Sequence, residues 1–487
     1  MEIKKLQNYI DGEWIDSLTK DFVEIRNPAR DTLLCLAPMS VQSEVGAAVR
    51  AAQKSFADWK NTPPVSRARY LLRLIALLED NFDELSVVQT KEHGKTIDES
   101  RGETRRGIEM VEVAAGIPSL MQGTNLEDVA SGMDECLINE PMGVFGGIAP
   151  FNFPFMVPLW FIPFAIACGN TFVLKPSPRT PMSQVELFRL MDEAGIPPGV
   201  VNLVHGGAET ADALIEHPLI QGITFVGSTP VAKQIYRKCG DLGKRVIAQA
   251  GAKNFVVVMP DAEVDQTLVS LITSFFGNTG QRCLAGANLL VVGDDSFYRT
   301  FVDRFVEMAA GIKVGDGLDE SVQMGPLQNV ESKKRVLAFI AKGINEGAEL
   351  ILDGRKLNLV GDVAETCFLN PSVFENVTPD MTLAKEEIFG PVASIIKAKD
   401  LSESIDMINA CPYGNAASIF TNTGKWARRF QHEVVAGNIG INVGIAAPMA
   451  FFPFGGRKDS FFGVLHGQGR DVIRFFTEPK ILITRWF

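Results

Sequence analysis

Residues 276–286 read FGNTGQRCLAG, and Cys283 within them is the first candidate for covalent chemistry. A free cysteine ordinarily behaves as a small buried hydrophobe. Here Arg282 supplies a positive charge that favours the thiolate, and Gly277, Gly280, Ala285 and Gly286 leave space for a close approach. The residues alone leave both readings open, filler and nucleophile. A second candidate is an anion site. In ITFVGSTPVAKQIY a strand-like run passes into Gly227, Ser228 and Thr229, and Pro230 falls in the first turn of a helix. Free amide donors and the helix dipole then face one spot where a pyrophosphate fits, although an ordinary capped turn reads the same way. Lys175 of VLKPSPRTP sits just past a strand, where it either meets a ribose or is solvated. No G-x-G-x-x-G fingerprint follows a strand, and HGQGRD at 466–471 is too isolated to serve as one.

Such groups need a scaffold that holds them in register. Val45, Val49, Ala52, Phe56 and Trp59 recur at three- and four-residue steps and predict a helix over 43–59, with a second over SRARYLLRLIALLEDNFDEL. From Pro141 onward, short apolar runs alternate with helical stretches: GVFGGIAP, TFVLKPS, VVNLVHG, GITFVGS and NFVVVMP. The pattern resumes after Cys283 in NLLVVGD, a helix near SFYRTFVDRFVEMAAGI, ASIIKAKD and GNAASIFTN. Alternation of this kind implies parallel sheets covered by helices, so the fold class is α/β, with two domains joined near residue 250.

Composition narrows the function. The chain has 487 residues, 46% of them hydrophobic, and a formal net charge of -11, which disfavours nucleic acid and anionic membrane as partners. The longest apolar stretch, from Gly143 to Gly169, contains Asn152 and four prolines and reads as buried core rather than a membrane span. The seven cysteines, at 35, 136, 168, 239, 283, 367 and 411, form neither a metal-ligand pair nor a disulfide framework, and the five histidines are scattered. No metal site is expected. The charged N-terminal stretch MEIKKLQNYIDGEW lacks a signal's apolar core, so a reducing, cytoplasmic location is expected.

The motifs PFNFPF, LKPSPRTP, FVGSTPVA, GAKN, GNTGQRC and EEIFGPV occur in the order and spacing of the aldehyde dehydrogenase superfamily, and the resemblance covers nearly the whole chain. RRGIEMVEVAAGIPSLMQG and APMAFFPFGGRKDSFFGVLHGQGRD look like its CoA-acylating branch, the methylmalonate-semialdehyde dehydrogenases. The resemblance implies two Rossmann-type α/β domains and a small β oligomerisation element, assembled as a homo-oligomer, dimer or tetramer. It assigns residues 1–120 and 141–248 to NAD binding, 249–440 to catalysis, and 121–140 with 465–487 to oligomerisation. It makes Cys283 the nucleophile, and Asn152 with the Cys283 backbone N–H the oxyanion hole. Ala149, Phe151, Lys175, Ser177, Gly227, Ser228, Glu387 and Phe389 match cofactor contacts. Arg106 and Arg282 match the positions that hold a substrate carboxylate, a task suited to arginine's planar fork. The implied reaction is NAD-dependent oxidative decarboxylation of malonate or methylmalonate semialdehyde, with CoA taking the acyl group. A hydrolytic NAD(P)-dependent enzyme is the alternative.

Two departures from the general family pattern bear on this. Gln249 of QAGAK stands where hydrolytic relatives carry the glutamate that activates water, and an amide cannot take that proton. Pro178 stands where many relatives carry a carboxylate for the adenosine ribose, which loosens the choice between NAD and NADP.

Overall fold

The computed structural model describes residues 4–487. Two large sheets organise the chain. In the first, the strands Val201–Leu203, Thr171–Lys175, Val144–Ile148, Ile220–Val226 and Arg245–Gln249 run parallel in that spatial order. Thr171–Lys175 and Val144–Ile148 are buried at every position, because helices cover both faces. Antiparallel strands close the edges. The hairpin Asn8–Ile10/Glu13–Ile15 pairs at Leu203, and Phe461–Gly463 pairs with Ile247, Ala248 and Gln249. NYIDGEWI forms this hairpin, turning at Asp11 and Gly12, both with positive φ.

The second sheet contains Ser372–Glu375, Val392–Ala398, Gly286–Val292, Asn254–Val258, Ala416–Phe420 and Asn438–Ile441, all parallel, with Glu349–Leu352 antiparallel at one edge. In chain order the parallel strands of the first sheet end at Gln249 and those of the second begin at Asn254. A separate three-stranded antiparallel sheet joins Thr124–Ala130, Met133–Pro141 and Thr477–Arg485. Its two outer strands are largely exposed and the middle one half-buried, whereas Val472, Ile473, Phe475 and Phe476 just before Thr477–Arg485 lie in the first sheet's core.

The periodic segments form helices at Gln42–Trp59 and Asp295–Ala310. The helix expected over 66–85 is broken at Asn81 (φ -104°, ψ 15°) into Pro64–Asp80 and Phe82–His93. The helix Ile97–Ala115 begins with a reciprocal cap, in which Thr96 Oγ1 accepts from Glu99 N and Glu99 Oε2 accepts from Thr96 N. It buries Ile97, Ser100, Glu103, Thr104, Ile108 and Val111 along one stripe. Among the described residues no helix is long and apolar enough to cross a membrane, and no three metal-ligating side chains cluster.

Candidate active site

Cys283 follows a tight turn, Gly277–Gly280, at the end of the helix Val264–Phe276. Within that turn Asn278 (φ 52°) and Thr279 (φ 54°) are left-handed, a costly state for a β-branched threonine. Thr279 Oγ1 holds the turn by donating to the Gly325 and Pro326 carbonyls at 2.9 and 3.2 Å. Gly280 (φ 69°) must be glycine, since a Cβ there would lie 2.1 Å from the Gly390 carbonyl oxygen. The Cys283 carbonyl accepts from Asn254 Nδ2 and Asn415 Nδ2, each at 2.8 Å. Burial pushes the Cys283 thiol up to about 12 and the Glu387 carboxylate adds to this, while the N–H groups of Cys283 and Leu284 and the Asn415 amide oppose it.

Asn152 is buried on the loop after Val144–Ile148, and its Nδ2 donates to the Gln281 carbonyl at 2.8 Å, two residues before the cysteine. Glu387 Oε1 accepts from Ala252 N at 2.9 Å, and burial raises its carboxyl above the ordinary range. Phe389 (φ 56°) meets Phe151 edge to face at 5.8 Å. Cys283, Asn152, Glu387, Phe389, Phe151, Ser177, Gly227 and Ser228 all line one cleft of about 460 Å³, formed by loops from both large sheets.

This cleft suits a dinucleotide. Ser228 caps the helix Thr229–Asp241 without a side-chain bond, and Pro230 lies in its first turn, so the helix opens into the cleft with amide donors to offer. Gly251 also lines it, and a Cβ there would come within 2.7 Å of Glu387 Oε2.

Four expected site residues stand off the lining. The Ala149 N–H is tied to the Lys175 carbonyl at 3.1 Å. Lys175 Nζ donates to the Pro176 and Gly206 carbonyls at 2.6 and 2.9 Å, and burial lowers its ammonium to about 8. Arg282 Nη2 is 3.0 Å from Glu99 Oε1 in a mostly buried pair. Arg106 Nη1 lies 2.8 Å from Met449 Sδ and 3.6 Å from Glu109 Oε2.

Other residues join the site unannounced. Arg179 and Arg335 line the cleft, Arg179 over the Phe151 ring at 4.9 Å and Arg335 Nη2 donating to the Ile388 carbonyl at 2.8 Å. Asn254 and Asn415, which anchor Cys283, each stand at the head of an apolar strand, in NFVVV and NAASIF. A polar residue at a buried strand position is the available signal. Gln249, already singled out in the sequence, is buried off the cleft lining and donates from Nε2 to the Phe454 carbonyl at 2.5 Å.

Comparison with known proteins agrees in scale with the geometry. The model of the aldehyde dehydrogenase family matches residues 14–482. Malonate-semialdehyde dehydrogenase 1 of Geobacillus kaustophilus (strain HTA426) is 47% identical over 485 residues, covering 100% of this chain and 98% of its own. The crystal structure of methylmalonate-semialdehyde dehydrogenase from Oceanimonas doudoroffii superposes with a TM-score of 0.97 at 39% identity, covering 99% of both chains. The NAD+ complex of an aldehyde dehydrogenase from Bacillus cereus gives 0.94 at 31% identity, over 99% of this chain and 97% of that one.

Proposed function

The chain belongs to the aldehyde dehydrogenase family, and from that premise we propose that it oxidises malonate or methylmalonate semialdehyde with NAD and passes the acyl group to CoA. In this reading Cys283 Sγ, as thiolate, attacks the aldehyde carbon. The oxygen that becomes negative is met by the Cys283 N–H and by the Asn152 amide, whose Nδ2 carries a second hydrogen besides the one bonded to Gln281. Gly227, Ser228, Ser177, Phe151, Glu387 and Phe389 would hold the dinucleotide, with Arg179 and Arg335 adding charge for its phosphates. A bound nicotinamide would supply the hydride acceptor that oxidation to a thioester on Cys283 requires.

The retained carboxylate is then β to the thioester carbonyl. Loss of carbon dioxide leaves an enolate, which takes a proton to become an acetyl or propanoyl thioester. CoA's thiol displaces Cys283, giving acetyl-CoA or propanoyl-CoA and the free enzyme thiol. Arg106 and Arg282 are assigned to the substrate carboxylate, while Arg282 keeps its Glu99 contact through Nη2. We further assign cofactor binding to the first sheet's unit, the nucleophile to the second, and self-association to the three-stranded sheet. A cytoplasmic location is in keeping with seven unpaired cysteines.

The observation that carries transfer over hydrolysis is Gln249: where a hydrolytic base would stand, an amide is bonded as a donor to the Phe454 carbonyl. Mixing enzyme, NAD and malonate semialdehyde without CoA should give a burst of NADH near one equivalent per subunit and then a slow rate, which CoA accelerates with formation of a thioester. Rapid CoA-independent turnover to free acid would overturn the reading.

A further inference from the structure

One ionic pair outside the cleft touches its wall. The side chains of Lys95 and Glu103 are both fully buried, with Lys95 Nζ 2.6 Å from Glu103 Oε2. The same ammonium donates to the Asn152 backbone carbonyl at 2.6 Å and stands 4.4 Å from the centre of the Phe153 ring. Glu103 Oε1 accepts from the N–H groups of Phe155 and Met156, at 2.9 and 3.0 Å. Apart from the bond between them, the pair's side-chain hydrogen bonds all end on backbone between 152 and 156.

A buried ion pair is seldom the most stable filling for a core, so its presence asks for another reason. The loop it grips has no ladder to hold it: residues 151–155 lie between a strand and the one-turn helix Met156–Leu159. We propose that Lys95 and Glu103 are positioning residues that aim the Asn152 side-chain amide at the oxygen developing on the substrate, an inference that rests on the oxyanion role given to Asn152 above. Fixing the Asn152 carbonyl fixes the Cα–Cβ direction from which its amide projects.

The other half of the site hangs from the same helix. Glu99, one turn before Glu103, accepts from Arg282 Nη2 at 3.0 Å and from Asn278 N at 2.5 Å through Oε1. Asn278 Nδ2 in turn reaches the Asn152 carbonyl at 3.4 Å. The helix Ile97–Ala115, with Lys95 just before it, therefore holds the oxyanion loop by Lys95 and Glu103 and the nucleophile turn by Glu99. One rigid element sets the spacing between amide and sulfur.

The pair does not border the cleft, so its loss should slow acylation and leave cofactor and substrate affinity alone. The test is a cycle of three proteins read by the rate of the CoA-free NADH burst, by KM and by NAD affinity. Asn152→Ala should lower the burst rate by about 10²- to 10³-fold. Lys95→Met/Glu103→Gln removes both charges together, so neither is stranded, and should lower it by roughly 10- to 10²-fold with KM and NAD affinity unchanged. The triple variant should match Asn152→Ala within about twofold, because the pair acts through that amide. If the losses instead multiply, or if the double variant runs at the wild-type rate, the positioning role is wrong. An unchanged burst in Asn152→Ala would instead remove the oxyanion reading itself. Should the double variant not fold, Glu103→Asp, which keeps the charge beside Lys95 and draws the carboxylate back from Phe155 and Met156, carries the same cycle.

Discussion

Gln249→Glu restores the carboxyl that a hydrolytic enzyme would use, and the structure says how well it would work. The wild-type amide is buried and donates to the Phe454 carbonyl at 2.5 Å. An ionised carboxylate there would face another acceptor, whereas a protonated one could donate to it. Glu92 gives the scale. Its carboxylate accepts from Met182 N at 2.7 Å, from Ser183 N at 2.9 Å and from the Ser183 hydroxyl, yet burial still raises it from 4.5 to about 7. That elevation is worth roughly 3 kcal/mol, at about 1.4 kcal/mol per tenfold change. The carboxyl introduced at 249 has fewer donors than Glu92 and a carbonyl against it, so its midpoint should lie above 7.

CoA-independent hydrolysis in the variant, after subtraction of the wild-type rate, should then rise about tenfold per pH unit below that midpoint and level off above it. The assay is the steady NADH rate after the burst, followed from about pH 6 to pH 9. Stability provides a second reading with a definite sign. A carboxyl whose folded midpoint is raised contributes stability in full below its unfolded value, near 4.3, and loses it as pH climbs to the folded midpoint. The melting temperature of the variant should therefore fall relative to wild type between about pH 5 and pH 8. A hydrolytic gain that is flat across the whole range would refute the burial argument. No gain at any pH, with the fold intact, would refute the idea that position 249 addresses the acyl carbon.

Because burial and Glu387 together hold the Cys283 thiol at about 12, iodoacetamide should alkylate it slowly in the cofactor-free protein and faster as pH rises. NAD, whose nicotinamide is cationic, should speed the reaction at neutral pH, and Cys283→Ala should abolish turnover while NAD affinity persists; Cys168→Ala, deep in the first core, should leave both turnover and NAD affinity intact. Arg106→Leu should raise KM for malonate semialdehyde by about 10- to 10²-fold, the loss of a charge-assisted bond of about 1.5–3 kcal/mol, and spare propanal; an equal loss on both aldehydes would assign the residue to the fold. With Pro178 offering no carboxylate, NAD should be preferred over NADP only modestly, and Pro178→Glu should widen the gap in kcat/KM by rejecting the 2′-phosphate.

Much of the scaffold is legible in the residues because parallel strands buried on both faces must be short and apolar. GVFGGI, TFVLK and NFVVV announce Val144–Ile148, Thr171–Lys175 and Asn254–Val258 with little error. Arg245–Gln249 is harder to read, since it opens on Arg245 and Val246, both half-exposed, and only Ile247, Ala248 and Gln249, which pair with the sheet's last strand, are buried. At the site, Cys283, Asn152 and Glu387 lie in recognisable motifs. The groups that hold them do not. Lys95 reaches Asn152, and Asn415 reaches Cys283, across distances in sequence that no local pattern spans. Arg282 shows the opposite failing, for its neighbour Cys283 is plain in the sequence while its actual partner, Glu99, is a surface-like residue of a remote helix.

The pairing of Phe461–Gly463 with Arg245–Gln249 constrains how the molecule is made. Strand 245–249 emerges from the ribosome early, and the strand that completes its sheet only after the whole second sheet has been synthesised. Until then the first unit carries an open edge beside Gln249, the kind of edge that invites pairing with a neighbouring chain. The carbonyl that receives the Gln249 amide, on Phe454, arrives in the same late segment. The contact that holds the Gln249 amide is thus made last, and slow translation or truncation there would yield a nascent protein prone to aggregate with that side chain unanchored.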